Sequence, residues 1–399
     1  MLVAAKTSLI VIQPTPFCNI NCSYCYLPRR DDRSKLGVED IRRIFQSLLT
    51  FPTISDQVTV VWHAGEPLVL GSKYYDAAFS VVRELCPQNL AIEHSFQTNG
   101  MLINDEWCDL FKKWDVGVGV SVDGPKEIHD ATRKTRAGKG THDKVLAGIG
   151  CLQRRNIPFY VISVLTKSAM LQPDSMFAFY QRLGIQDVGF NIDEKEGINK
   201  ASSFEHDFDE QLVASFFERL TELMEAQRFP IAIRELETIL FSIRFMETSR
   251  PSNEQIPFGI ITIDVSGNVY TFSPELAGYS SKEFSTFAIG NIFEHDFEQL
   301  KRSAVLAKMA DQIREGISAC KAECQYFPVC HGGAPSNKLF ENGTFASTET
   351  LYCRLTKKQT TDFVLSTIER RLPSEECSNV WRMAAARRPP ARNHPGPRV

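Results

Sequence analysis

The sequence predicts an α/β protein built on a partial (β/α)6 TIM barrel and followed by a C-terminal region of different character. Three observations predict it. From Ser8 to about Ile192, short β-branched runs alternate with longer amphipathic stretches, as repeated βα units require. Beyond Ile192 the pattern changes to long helices, so a full eight-unit barrel is not completed. A tight run of three cysteines follows the first strand, at the strand end where parallel barrels place their catalytic groups.

The elements follow in order. Strands are expected at Leu9 to Gln13, Val58 to His63, Ala91 to Gln97, Val116 to Val122, Phe159 to Leu165 and Val188 to Ile192. Between them the periodicity predicts helices near Val38 to Thr50, Lys73 to Leu85, Asp105 to Trp114, Asp143 to Arg154 and Asp174 to Leu183. Two long helices, Phe208 to Gln227 and Ala232 to Met246, come next. A second region opens near Gln255 with a β-hairpin, Ile260 to Asp264 and Asn268 to Phe272, joined across Val265-Ser266-Gly267. A linking helix, roughly Asp296 to Ala310, then leads to a second group of cysteines. The expected division is 1–200 for the barrel, 201–254 for a helical bridge, 255–376 for the C-terminal domain and 377–399 for a tail.

Composition narrows the class. The chain has 399 residues, 43% of them hydrophobic, and a net charge of −3, which gives no bias toward nucleic acid. The apolar run Leu9 to Ile12 is too short for a signal-peptide core or a membrane span. Eleven cysteines without a signal sequence fit a reducing, cytoplasmic setting. In the tail, Arg382, Arg387, Arg388, Arg392 and Arg398 are interleaved with prolines, and such a segment buries too little apolar surface to offset its ordering entropy.

The chemistry begins at Cys18-Asn19-Ile20-Asn21-Cys22-Ser23-Tyr24-Cys25. Three thiolates spaced CxxxCxxC on one loop hold three irons of a [4Fe-4S] cube and leave the fourth iron open for a small molecule. A closed zinc site needs four ligands, and no nearby His completes one here.

This spacing, with an aromatic before the third cysteine, resembles the radical S-adenosylmethionine (SAM) superfamily, in which the open iron chelates the methionine part of SAM. The resemblance implies a cluster on Cys18, Cys22 and Cys25, and SAM beside it. Ala64-Gly65-Glu66-Pro67 resembles the GGEP motif that binds the methionine amino group, which implies Gly65 and Glu66 as contacts; the bland reading of Glu66 is a helix N-terminal charge. Gln97-Thr98-Asn99-Gly100 resembles the ribose and substrate side, pointing to Gln97 and Asn99, against a simple Asn-Gly turn. In Ser121-Val122-Asp123-Gly124-Pro125 and Arg133, the family likeness assigns Ser121 and Arg133 to the ribose and carboxylate and counts Asp123 among the cofactor-binding residues; an Arg fork suits a planar carboxylate. Tyr24 is expected near the adenine and the backbone around Leu165 at its edge, with core packing as the alternative for Leu165. His63 and His94 lack ligand spacing and are read as structural. Reductive cleavage of SAM in such enzymes yields a 5'-deoxyadenosyl radical that abstracts hydrogen.

The second group, Cys320, Cys324, Cys330 and Cys353, supplies four thiolates, enough to close an auxiliary [4Fe-4S] cluster; a zinc knuckle is the alternative. It resembles the SPASM extension of peptide-modifying radical SAM enzymes. The stretch after the hairpin, Thr271 to Leu276, carries no Cys, and Ala334 stands where another is expected, so one auxiliary cluster is implied rather than two. Thr271 to Leu276, Asn337-Lys338 and Glu341 to Phe345 are most similar to the cyclophane-forming maturases, which join an aromatic ring carbon to the β-carbon of a nearby residue in a ribosomally made precursor peptide. That likeness makes Glu275 the candidate base for the ring proton, and implies a precursor peptide and a flavodoxin- or ferredoxin-type electron donor as partners, with neither nucleic acid nor membrane. Because the first strand begins near Leu9, no N-terminal recognition domain is expected. The alternatives are an anaerobic sulfatase-maturating enzyme and a non-catalytic iron-sulfur or zinc scaffold. Cys86, Cys108, Cys151 and Cys377 are read as buried or free thiols.

Overall fold

The computed structural model describes residues 6–206, 209–245 and 251–371. The tail at 377–399, with Cys377, lies outside the described residues.

One ten-stranded sheet organises the chain. Its strands are β1 (Thr7–Ile12), β2 (Ile54–Trp62), β3 (Ala91–Thr98), β4 (Gly117–Ser121), β5 (Tyr160–Leu165), β6 (Asp187–Ile192), β7 (Ala232–Ile233), β8 (Ile260–Ile263), β9 (Asn268–Thr271) and β10 (Gly290–Asn291). The order is β10-β9-β8-β1-β2-β3-β4-β5-β6-β7, so the curved sheet stays open at both ends. Neighbours from β8 through β1 to β7 run parallel, while β8-β9 and β9-β10 are antiparallel.

The six expected strands all form, each within four residues of its expected ends. Apolar-polar alternation is absent from the second half of β1, where Ile10, Val11 and Ile12 are all buried, because β2 and β8 flank it and both of its faces are covered. The helices on the outer face form for ordinary reasons. Helix Val38–Leu48 buries Ile41, Ile44, Phe45 and Leu48, one stripe at 3.6-residue spacing. Asn104 caps helix Asp105–Trp114 by accepting from the Trp107 N–H at 3.1 Å, and Asp115 ends it with a left-handed φ of 48°. Trp62, Tyr75, Phe79, Phe96, Trp107 and Phe111 pack as a continuous aromatic layer between sheet and helices.

The structure adds elements that the sequence reading did not expect, among them helices Lys126–Thr132, Lys167–Met170, Pro335–Asn342 and Gln359–Arg371, and it redraws three that were expected. The hairpin at 260–271, expected to open a separate region, continues the barrel's own sheet, with β8 pairing parallel to β1 from Leu9↔Ile260 to Ile12↔Ile263. The start expected for the second bridging helix, Ala232, is instead a two-residue strand on β6, and the helix runs Arg234–Arg244. The linking helix is two helices, Phe297–Lys301 and Ala304–Glu323; the second runs on until Cys320 sits in its last turn.

Among the described residues, no helix is long and apolar enough to cross a membrane.

Candidate active site

The C-terminal ends of the parallel strands converge on a cavity. The cysteine loop after β1 forms one side. It is held against the 132–136 segment: Asn21 N–H donates to Lys134 O at 2.7 Å, Ser23 N–H to Thr132 O at 3.1 Å, and Arg136 Nε to Cys18 O at 2.8 Å. Arg30 closes the loop from the other side, donating to Cys22 O at 3.1 Å. Cys18, Cys22 and Cys25 all line the cavity. Burial pushes the Cys18 and Cys22 thiols up to about 12, so without a cation they stay protonated. Iron binding displaces such protons, and three thiols on one wall match the donor set of a cluster with an open iron.

The turn after β2 is shaped by its backbone. Ala64 adopts a φ of 67° and Gly65 a φ of 134°. A Cβ on Gly65 would lie 2.3 Å from Thr15 O, so only glycine fits this close approach. The turn delivers Glu66, 1% exposed, whose carboxylate accepts from Thr98 Oγ1 at 2.7 Å, Asn99 N–H at 2.8 Å and Leu68 N–H at 3.0 Å. Burial raises its carboxyl to about 7 despite these donors. A buried carboxylate with three neutral donors is well placed to receive an ammonium group.

Across the cavity, Gln97 Nε2 donates to Ser121 Oγ at 2.9 Å, and Asn99 Nδ2 donates to Asn19 Oδ1 at 2.7 Å, on the cysteine loop. Arg133, 6% exposed, lines the cavity with Nη1 4.0 Å from Cys22 Sγ and donates through Nε to Asp123 at 2.9 Å. Burial alone would raise the Asp123 carboxyl; Arg133 and His129 outweigh it and hold it below its ordinary value.

The residues singled out by sequence are not equally placed. Tyr24, Gly65, Glu66, Gln97, Asn99, Ser121, Arg133 and Glu275 line the same cavity. Asp123 lies behind the wall, accepting from Tyr24 Oη at 2.5 Å, Arg133 Nε and Val164 N–H at 2.9 Å, so it orients its neighbours rather than facing the cavity. Leu165 is 1% exposed in the layer between sheet and helices; strand alternation puts Ile162 and Val164 on the wall instead. His94 stacks on Phe79 at 4.0 Å, deep in the aromatic layer. His63, read as structural, is on the cavity wall with Nε2 3.3 Å from Tyr26 Oη. Burial depresses its ring to about 4, so it is neutral at pH 7. The signal for His63 was its position, three residues before Glu66 at the end of β2.

Glu275 enters from the short 3₁₀ turn Pro274–Leu276 after β9 and accepts a hydrogen bond from Ser273 Oγ. It is 5% exposed. It reaches the cavity because β9 belongs to the same sheet as β1.

A second cavity gathers Cys320, Cys324, Cys330 and Cys353. The loop after Cys330 runs through three left-handed residues, His331, Gly332 and Gly333, and Gln255 Nε2 pins it by donating to the carbonyls of His331 and Gly333, both at 2.8 Å. Thr350 Oγ1 accepts the Cys353 N–H at 2.9 Å. Burial pushes the Cys353 thiol up to about 12. Four thiols gathered around one cavity match the donor set of a closed [4Fe-4S] cluster. Asn337 and Tyr352 line both cavities and form the partition between them. Cys108 and Cys151, 3.5 Å apart between two outer helices, take no part in either.

Residues 12–169 match the model of the radical SAM superfamily. The chain is 38% identical to the uncharacterized protein sll1766 of Synechocystis sp. (strain ATCC 27184 / PCC 6803 / Kazusa) over 92% of its own length and 93% of that protein's. The fold, the cysteine loop and these matches place the chain in the radical SAM superfamily. Its cofactors are those of the superfamily, a [4Fe-4S] cluster and SAM. It is also 25% identical to the cysteine-type anaerobic sulfatase-maturating enzyme of Clostridium novyi (strain NT), covering 84% of this chain and 90% of that one. Among solved structures, native anSMEcpe with bound AdoMet and Cp18Cys peptide superposes with a TM-score of 0.75 at 18% identity, over 95% of this chain and 99% of that one.

Proposed function

We propose that this radical SAM enzyme is a peptide maturase that joins an aromatic ring carbon to the β-carbon of a nearby residue in a ribosomally made precursor peptide. The observation that carries the reading is the wall of the first cavity, where a buried carboxylate, Glu275, faces the same space as Cys18, Cys22 and Cys25, one partition away from four further thiols. The new bond requires the loss of one hydrogen atom from the β-carbon and of one proton and one electron from the ring. When bound, the first cluster with SAM supplies the hydrogen-abstracting radical, and an auxiliary cluster held by Cys320, Cys324, Cys330 and Cys353 supplies the electron sink. An external one-electron carrier of flavodoxin or ferredoxin type would deliver the electron that cleaves SAM and, in its oxidised form, take back the electron gained by the auxiliary cluster.

The chain's own groups do the rest. Glu66 pairs with the ammonium of SAM, and Arg133, steadied by Asp123, holds its carboxylate. Ser121, Gln97 and Asn99 offer polar groups to the ribose, and Tyr24 closes that side. Glu275 takes the ring proton. Asn337 and Tyr352 stand between the two cavities. Precursor peptides enter from the open side of the cavity.

The test is a comparison of the reconstituted protein with Glu275→Gln, given SAM, a strong reductant and a precursor peptide. The variant is expected to keep releasing 5'-deoxyadenosine but to lose cross-linked product by ~10²-fold or more, the range for a positioned base. Unchanged product with Glu275→Gln would remove Glu275 from the reaction.

A further inference from the structure

Lys338 lies in helix Pro335–Asn342 and is only 4% exposed. A long ammonium side chain is seldom so buried unless an anion or hydrogen-bond acceptors offset the loss of water. The partners found for it among the described residues are Gly316 O, 3.1 Å from Nζ, and Cys320 Sγ, at 3.3 Å. The space is made for it: a Cβ on Gly316 would meet Lys338 Nζ at 3.2 Å and Phe345 O at 2.3 Å. Helix Ala304–Glu323 therefore brings a bare backbone position and a ligand thiol to the same ammonium, one turn apart.

We propose that Lys338 is a positioning residue of the auxiliary [4Fe-4S] cluster, donating to the Cys320 thiolate and raising the cluster's reduction potential. This rests on the second cavity being a cluster site, as set out above. A hydrogen bond to a ligating sulfur, and a buried positive charge beside it, both stabilise the reduced and more negative cluster. In the cross-linking reaction the substrate ring loses one electron and the auxiliary cluster gains it, while Glu275 takes the proton. A higher potential favours that transfer.

The test uses the full-length chain carrying Cys18→Ala, Cys22→Ala and Cys25→Ala, so that only the auxiliary site binds iron. The reconstituted protein is analysed for iron and zinc and titrated with reductant under spectroscopic and paramagnetic-resonance readout. With Lys338→Met added, the ratio of reduced to oxidised cluster at fixed potential is expected to fall roughly tenfold, equivalent to ~59 mV for one electron. Lys338→Gln, which keeps a donor without the charge, is expected to fall less. Should the Met variant fail to load iron, a lowered ratio in the Gln variant supports the proposal. An unchanged ratio in the loaded variants overturns it and leaves the cluster reading intact. Zinc in place of iron in the Lys338 parent removes the cluster reading and this inference together.

Discussion

Ala64 pays for its position: a non-glycine residue at φ 67° carries ~1–2 kcal/mol of left-handed strain. Ala64→Gly is expected to raise unfolding stability by up to about 1 kcal/mol, after the added freedom of the unfolded chain is deducted, as read by denaturant unfolding of the SAM-free protein. Its neighbour Gly65 admits no such change, since the Thr15 carbonyl occupies the space of a Cβ. The sequence showed the motif and the departure at Ala64, but not that both residues are left-handed; backbone conformation is set by the approach of the 15–17 segment, which is distant in sequence. Glu66 makes a pH prediction. Its folded carboxyl sits at about 7 against 4.5 unfolded, so the native chain binds the extra proton and stability falls as pH rises from about 4.5 to about 7. The size is about 3 kcal/mol. His63, depressed to about 4, works oppositely over about 4 to 6.5, so the contribution of Glu66 is read as the difference between the parent and Glu66→Gln, which should widen in favour of the variant between pH 5 and pH 7.5. The same variant is expected to weaken SAM binding at least tenfold by calorimetry, through loss of a charge-assisted bond worth ~1.5–3 kcal/mol.

At the scale of elements, the six strands and five helices expected within the first 192 residues were legible because each carries its own periodicity, whereas the short helices Lys126–Thr132 and Lys167–Met170 span too few turns to show one. Other elements that escaped the sequence reading are fixed by partners. Strand β7 is two residues long and exists through its pairing with β6. Helix Ala304–Glu323 continues well past the expected end near Ala310 to carry Cys320, and its Gly316 lies against the backbone carbonyls of Phe345 and Ser347. Gly316→Ala is accordingly expected to displace this helix end and lower bound iron from about eight to about four atoms per chain, with the SAM-binding cluster retained. Iron analysis checks the total, and SAM cleavage reports which cluster survives.

Across the whole molecule, the sequence suggested a barrel and a separate C-terminal region, whereas one sheet unites them. The pairing of β8 with β1 carries Glu275 to the rim beside the first cysteine loop, and places the second cavity behind Asn337 and Tyr352. No local pattern announces such a pairing, because residues 9 and 260 are far apart in the chain. His63 was missed for a related reason, since its strand position was clear but the depth of the cavity was not.

The measurement that bears most directly on the central claim is anaerobic co-expression with short open reading frames encoded beside the gene, followed by intact and fragment mass spectrometry of each peptide. A loss of about two hydrogens per cross-link is expected in a fragment containing an aromatic residue, abolished by Cys18→Ala, Cys22→Ala or Cys25→Ala. Unmodified peptides, together with conversion of a sulfatase Cys or Ser to an aldehyde, would contradict it and make the chain a sulfatase-maturating enzyme.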